Sequence, residues 1–220
     1  MSSTTVTSRD NTYLFLASFV AIFCLLSFGL AAIENPARQA RYTPIVIAHG
    51  ALMTGWFALL CYQAYIVRQN KLGLHQRLGK LSMILVAAFT VLTVKVALDF
   101  RGGLGSDATL IANMAVLANF LSLYILAIYF ARKKRVQVHK RLMLVASIAL
   151  ILPAFSRFTD AFDLPQELSI PLYFLFLLVI PTVHDVVRQG KVHIASILAV
   201  SYSLLIFVGV VAFAFTTGLL

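Results

Sequence analysis

The chain has 220 residues, of which 60% are hydrophobic and only 12% charged, and its formal net charge is +10. That balance is far from a soluble domain, and the basic residues are spread over several short connections. A nucleic-acid interface would need one basic stripe with interleaved aromatics, so the lipid bilayer is the expected partner and nucleic acid is not.

The expected fold class is all-α, a polytopic membrane helix bundle. Residues 1–12 form a mildly polar N-terminal tail with one arginine, Arg9, and no small-residue cleavage site, so the first apolar run reads as a retained helix. A helix needs about 20 mostly apolar residues to cross the hydrocarbon core. Runs of that kind fall at 13–33, 44–67, 81–100, 108–131, 142–158, 169–187 and 194–217, giving seven spans in a transmembrane domain over 13–217. The fifth is the shortest and carries Pro153 and Arg157. Tyr13, Tyr42, Tyr62, Tyr65 and Tyr129 lie near span ends, where amphipathic rings sit at headgroup level, whereas Trp56 is deeper. Cys24 and Cys61 fall inside spans, and no disulfide framework is expected.

Charge gives the orientation. Thirteen of the eighteen Lys and Arg lie at Arg9 or in three connections, Arg68 to Lys80, Arg132 to Arg141 and Arg188 to Lys191. Glu34, Asp107, Asp160, Asp163 and Glu167 occupy the alternate connections. Short loops rich in Lys and Arg stay cytoplasmic. The expectation is a polytopic membrane protein with its N-terminus inside and its C-terminus outside.

The basic connections repeat. Leu74-His75-Gln-Arg77-Leu78 in the first matches Val138-His139-Lys-Arg141-Leu142 in the second, each with an arginine seven residues before the histidine. A shorter copy reads Arg188-Gln-Gly-Lys-Val192-His193. One helix followed by three helical hairpins is therefore expected, a symmetry found in membrane transport folds.

Two sets of residues could carry chemistry. His75, His139, His184 and His193 map to the basic end, and imidazole is a common ligand of haem iron, zinc and copper. Neighbouring Lys80, Lys140 and Arg141 would repel a cation there, and the plainer role of the histidines is anchoring helix entries at the headgroups. The second set lies within about two turns of the opposite end: His49, Lys95, Asp99, Asn113 and Arg157. His49, Met53, Trp56, Leu60 and Gln63 share one helix face. Ionisable groups at that depth are costly and pair or face a cavity, so a ligand pocket including Trp56 stands against a structural network of Lys95–Asp99 and Arg157–Asp160. No His-Glu-x-x-His, Gly-x-Ser-x-Gly or phosphate-binding loop is present.

The run His49-Gly50-Ala-Leu-Met-Thr-Gly-Trp56, with Leu74-His75-x-Arg77-Leu78-Gly79, His139-Lys-Arg141-Leu142-Met143 and His184-Asp185, resembles an uncharacterised family of small bacterial multi-spanning inner-membrane proteins. Its His-x-Arg-Leu signatures are similar in style to membrane proteins associated with haem or with respiratory-oxidase assembly. The resemblance implies a haem or transition-metal cofactor and a role in redox chemistry or oxidase maturation. A small-molecule or proton-coupled transporter using the outer pocket, and a structural or assembly subunit of a larger membrane complex, remain open beside it.

Overall fold

The computed structural model describes residues 11–34, 42–101 and 107–218. Among these residues there are helices and turns and no strand. Eight α-helices follow in order: α1 (Asn11–Glu34), α2 (Pro44–Arg68), α3 (Leu72–Arg101), α4 (Asp107–Arg132), α5 (Val136–Ala149), α6 (Leu152–Ala161), α7 (Ser169–Gln189) and α8 (Ile194–Thr216). Six of them are long and apolar enough to cross a membrane, and α5 with α6 makes a seventh span if the bent pair counts as one.

The pair does traverse the bundle. Tyr13, at the start of α1, sets its ring edge-on to His184 with centroids 5.8 Å apart, and His184 adjoins the Asp185 that binds Arg141 at the start of α5. Further along, Phe23 of α1 packs on Phe155 of α6 at 4.6 Å, and Phe28 lies beneath the Arg157 guanidinium at 5.9 Å. Tyr13 to Phe28 is a rise of roughly 22 Å at about 1.5 Å per residue, and α5–α6 keeps pace with it. The break has a local cause. Pro153 has no N–H for the Ala149 carbonyl, and its ring crowds that carbonyl. α5 stops at Ala149, Pro153 enters the first turn of α6, and the axes bend by 44°. The expected run 142–158 is thus an interrupted helix that starts six residues earlier.

A threonine caps α2, its hydroxyl accepting from Val46 N–H, with Pro44 in the first turn, where a missing donor is no loss. α3 begins at Leu72, well before its apolar run, because the basic segment is already helical at the membrane edge.

Most of the surface of each span is apolar and outward-facing, as at Phe15, Ile84, Val91, Leu205 and Phe215. With lipid outside, close packing and interhelical hydrogen bonds hold the helices together. Trp56 stands edge-on to Phe89, Phe120 and Tyr124 at 6.0, 5.2 and 5.6 Å, joining α2, α3 and α4. The Tyr124 hydroxyl shares a 2.8 Å hydrogen bond with Ser82. Phe23, Phe155 and Phe176 form the corresponding cluster of α1, α6 and α7. Ser203 donates to Asn119 at 3.2 Å and Tyr202 to Ser122 at 2.9 Å, tying α8 to α4.

The hairpins are unequal. α2–α3 and α4–α5 pack closely along their lengths, whereas α7 and α8 touch each other little and α8 rests on α4 and α5. The first two turns are copies. Asn70 (φ 57°) and Lys134 (φ 59°) take the left-handed conformation at equivalent places. Lys71 N–H donates to Ile66 O in one and Arg135 N–H to Phe130 O in the other, the long closing bond of a helix C-cap. His75 and His139 are each the fourth residue of their helix. His193 differs: it is the N-cap of α8, its Nδ1 accepting from Ala195 N–H at 3.0 Å.

Candidate functional site

Among the described residues, the candidate side chains fall in three regions. The first joins α5, α7 and α8 at the basic end. Arg141 and Asp185 are 1% and 0% exposed, and their guanidinium and carboxylate meet at 2.7 Å. Arg141 Nε also donates to Asp185 Oδ1, and its Nη1 to the Gln137 carbonyl and side-chain oxygen. Asp185 Oδ1 takes His184 Nδ1 at 3.1 Å, and Oδ2 accepts the backbone N–H of His193 at 2.9 Å. Two charges leave water here only because each is surrounded by partners. The result is a clamp: α5 supplies the cation, α7 the anion, and the first turn of α8 hangs on the same carboxylate. The α8 cap imidazole at His193, outside the spans, is held less readily protonated by burial and by the nearby Arg141 and Lys140 charges, with Asp185 opposing.

The second region lies between the first turns of α3 and α5. His75 and His139 approach edge-to-face, with ring centroids 6.2 Å apart. His139 Nδ1 is 2.9 Å from the Ala127 carbonyl, a contact in which the ring nitrogen must donate. That leaves Nε2 of a neutral ring with its lone pair. Gln63 of α2 donates from Nε2 to the His75 carbonyl at 3.3 Å. Gln63 Oε1 and His75 Nδ1 are both buried without a hydrogen-bond partner, an arrangement that calls for a water or an ion.

The opposite end contains three separate local partnerships. His49 Nδ1 is 3.4 Å from the Thr93 hydroxyl, Lys95 is bonded to Asp99 one turn on, and Arg157 lies 3.9 Å from Asp160. Lys95 and Asp99 are about half exposed. Asp160 also accepts from Gln166 after α6. Among the described residues no hydrogen bond or ion pair links His49 to Lys95 or Asp99. Asn113 is half-buried on α4, and Trp56 is buried in its aromatic cluster with Nε1 unpartnered.

Of the four histidines at the basic end, two pairs therefore form: His75 with His139, and His184 with His193 about Asp185. Among the described residues no group of three or more His, Cys, Asp or Glu is arranged to hold a metal ion. The Arg141–Asp185 pair was not singled out by sequence reasoning, although the acid directly after His184 and the arginine of the second His-x-Arg copy were both in view. No protein-family model matches the chain, and neither a curated protein nor a solved structure matches it.

Proposed function

We propose that this integral membrane protein holds a transition-metal ion, copper or zinc, between His75 and His139, with the basic end toward the cytoplasm of a bacterial plasma membrane. The observation that carries the reading is the meeting of two imidazoles from equivalent positions of a repeated hairpin. An ion bound by one nitrogen of each ring at about 2.0–2.1 Å would set the ring centres about 5 Å apart at a tetrahedral angle and about 6.4 Å apart in line, a range that includes their 6.2 Å separation. The bond from His139 Nδ1 to a backbone carbonyl supports the same reading, since ligating histidines usually anchor their other nitrogen in this way. Gln63 Oε1 supplies a third, neutral donor from α2.

The site carries no acid and stands among basic residues, so imidazole affinity rather than charge must hold the ion. Copper and zinc are the ions best suited to that. His184 and His193 are assigned to the clamp, because Asp185 and the α8 cap already engage their Nδ1 atoms. The orientation rests on the twelve basic residues of the three connections Arg68 to Lys80, Arg132 to Arg141 and Arg188 to Lys191.

Metal analysis of purified protein equilibrated with copper(I) or zinc tests the proposal. About one ion per chain is expected for the natural sequence, with loss of most of it in His75→Ala and in His139→Ala but not in His193→Ala. Substoichiometric metal throughout, or metal retained in the double His75→Ala, His139→Ala variant, overturns it.

A further inference from the structure

The turns α2–α3 and α4–α5 share a backbone and differ in charge. The first runs Arg68-Gln-Asn-Lys71 and the second Arg132-Lys-Lys-Arg135. Both close with the same long bond, and both put one residue in the left-handed conformation, Asn70 in one and Lys134 in the other. Asparagine accepts that conformation more readily than lysine. The charge bias that orients a membrane protein counts Lys and Arg in short loops and assigns them no fixed place. It therefore does not account for four consecutive cations, one of them at the strained position.

Arg132, Lys133, Lys134 and Arg135 are all exposed, and none of them makes an ion pair or a side-chain hydrogen bond among the described residues. The one acid described at this end, Asp185, is buried against Arg141 and does not neutralise them. Four like charges on one turn repel, so the anion that suits them comes from outside the chain. Directly below the cations the surface turns apolar. Ile125, Tyr129 and Lys133 follow one another at four-residue spacing on the same face of α4. Ile125 and Tyr129 are 63% and 51% exposed, and the Lys133 ammonium lies 5.7 Å from the centre of the Tyr129 ring. Val136, just past the last cation, is exposed as well.

This is a gradient from hydrocarbon through an interfacial tyrosine to fixed positive charge. A soluble acidic protein would match only its upper part and leave Ile125 uncovered. A phospholipid matches the whole of it, and runs of Lys and Arg beside a membrane helix attract anionic headgroups. We propose that the α4–α5 turn binds an anionic phospholipid, its phosphodiester oxygens accepting from the cations of residues 132–135 and an acyl chain lying along Tyr129 and Ile125. Guanidinium groups offer paired donors that fit phosphate oxygens, and the lysines add compact charge.

Phosphatidylglycerol with a fluorescent acyl chain, titrated into the full-length protein in dodecyl maltoside and followed by anisotropy, tests this. Saturable binding that weakens as salt is raised is expected. The triple variant Lys133→Gln, Lys134→Asn, Arg135→Gln should raise the dissociation constant at least about fivefold. The control triple Arg77→Gln, Lys80→Gln, Lys191→Gln removes as much charge from the same end and should change it less than about twofold. All six positions are exposed, so neither variant disturbs the core. Unlabelled phosphatidylglycerol should compete, and equal concentrations of phosphatidylcholine, glycerol phosphate or polyglutamate should not. Equal weakening in the two triple variants would overturn the proposal by making the attraction diffuse. Equal competition by phosphatidylcholine, glycerol phosphate or polyglutamate would overturn it in favour of the acyl chains alone, a free phosphate or an acidic protein.

Discussion

The two copies of the His-x-Arg motif share a turn and share a histidine position, yet their arginines have opposite fates. Arg77, on α3, is exposed and without an ion-pair partner among the described residues, while Arg141, on α5, is 1% exposed and locked to Asp185. The local sequence does not explain the difference, because both turns close with the same backbone bonds. Position in the bundle does. α3 packs chiefly on α2 and α4, whereas α5 is surrounded by α4, α7 and α8. The face that carries Arg77 to the solvent or headgroups carries Arg141 into a three-helix junction, and there it must be paired or be ruinous. The histidines go the other way: both copies point theirs to the space between α3 and α5, where they meet.

The largest effect that could break this comparison is at the clamp. Arg141→Leu or Asp185→Leu leaves one buried charge without its partner and is expected to cost about 3–5 kcal/mol, read as loss of folded protein or a large fall in unfolding temperature in detergent. The double variant Arg141→Leu, Asp185→Leu should recover much of that loss. Arg77→Ala is expected to change stability by no more than about 0.5 kcal/mol. Equal losses at Arg77 and Arg141 would show that the two copies are not different at all.

A smaller effect sharpens the likeness of the turns. Lys134 and Asn70 hold φ near +59° and +57°. Glycine takes that conformation freely, and asparagine takes it more readily than lysine. Lys134→Gly should stabilise the protein by up to about 1 kcal/mol and Asn70→Gly by less, in thermal or denaturant unfolding of the two variants side by side. Destabilisation by either would mean that the turn geometry is not shared.

The smallest effect is the pH response of the third, divergent copy. His193 is harder to protonate than the ordinary 6.5, through burial first and then the Arg141 and Lys140 charges. Its neutral Nδ1 also accepts the α8 cap bond. A group whose pKa is lower in the folded state contributes stability that is fully present above its unfolded value and is lost as pH falls through the folded one. Unfolding temperature should therefore drop as pH falls below about 6.5, and His193→Asn, which can still accept at the cap, should flatten that part of the profile. An unchanged profile would remove His193 from the clamp.

Much of the fold was legible in the sequence. The apolar runs located α1, α2, α4, α7 and α8 to within a few residues, because entry into hydrocarbon and helix formation coincide there. They do not coincide at Leu72 and Val136, where a helix begins in the basic segment outside the oil. Hydropathy therefore started both helices too late. Pro153 was visible, but its consequence, a 44° bend rather than a short span, depends on neighbours that cover the broken turn. The repeat was legible as a motif and its turns follow it. Which arginine would be buried was not legible, since the deciding partner, Asp185, lies on another helix. His49, Lys95, Asp99, Asn113 and Arg157 were grouped by depth alone, and depth does not fix the direction a side chain takes around its helix axis.

X-ray absorption at the metal edge of the zinc-loaded protein tests most directly whether the two motif copies share one site. The account requires two imidazole nitrogens at about 2.0–2.1 Å, and their scattering signature should vanish in the double His75→Ala, His139→Ala variant. A spectrum of oxygen ligands alone, or an imidazole signature that survives in that double variant, would contradict it.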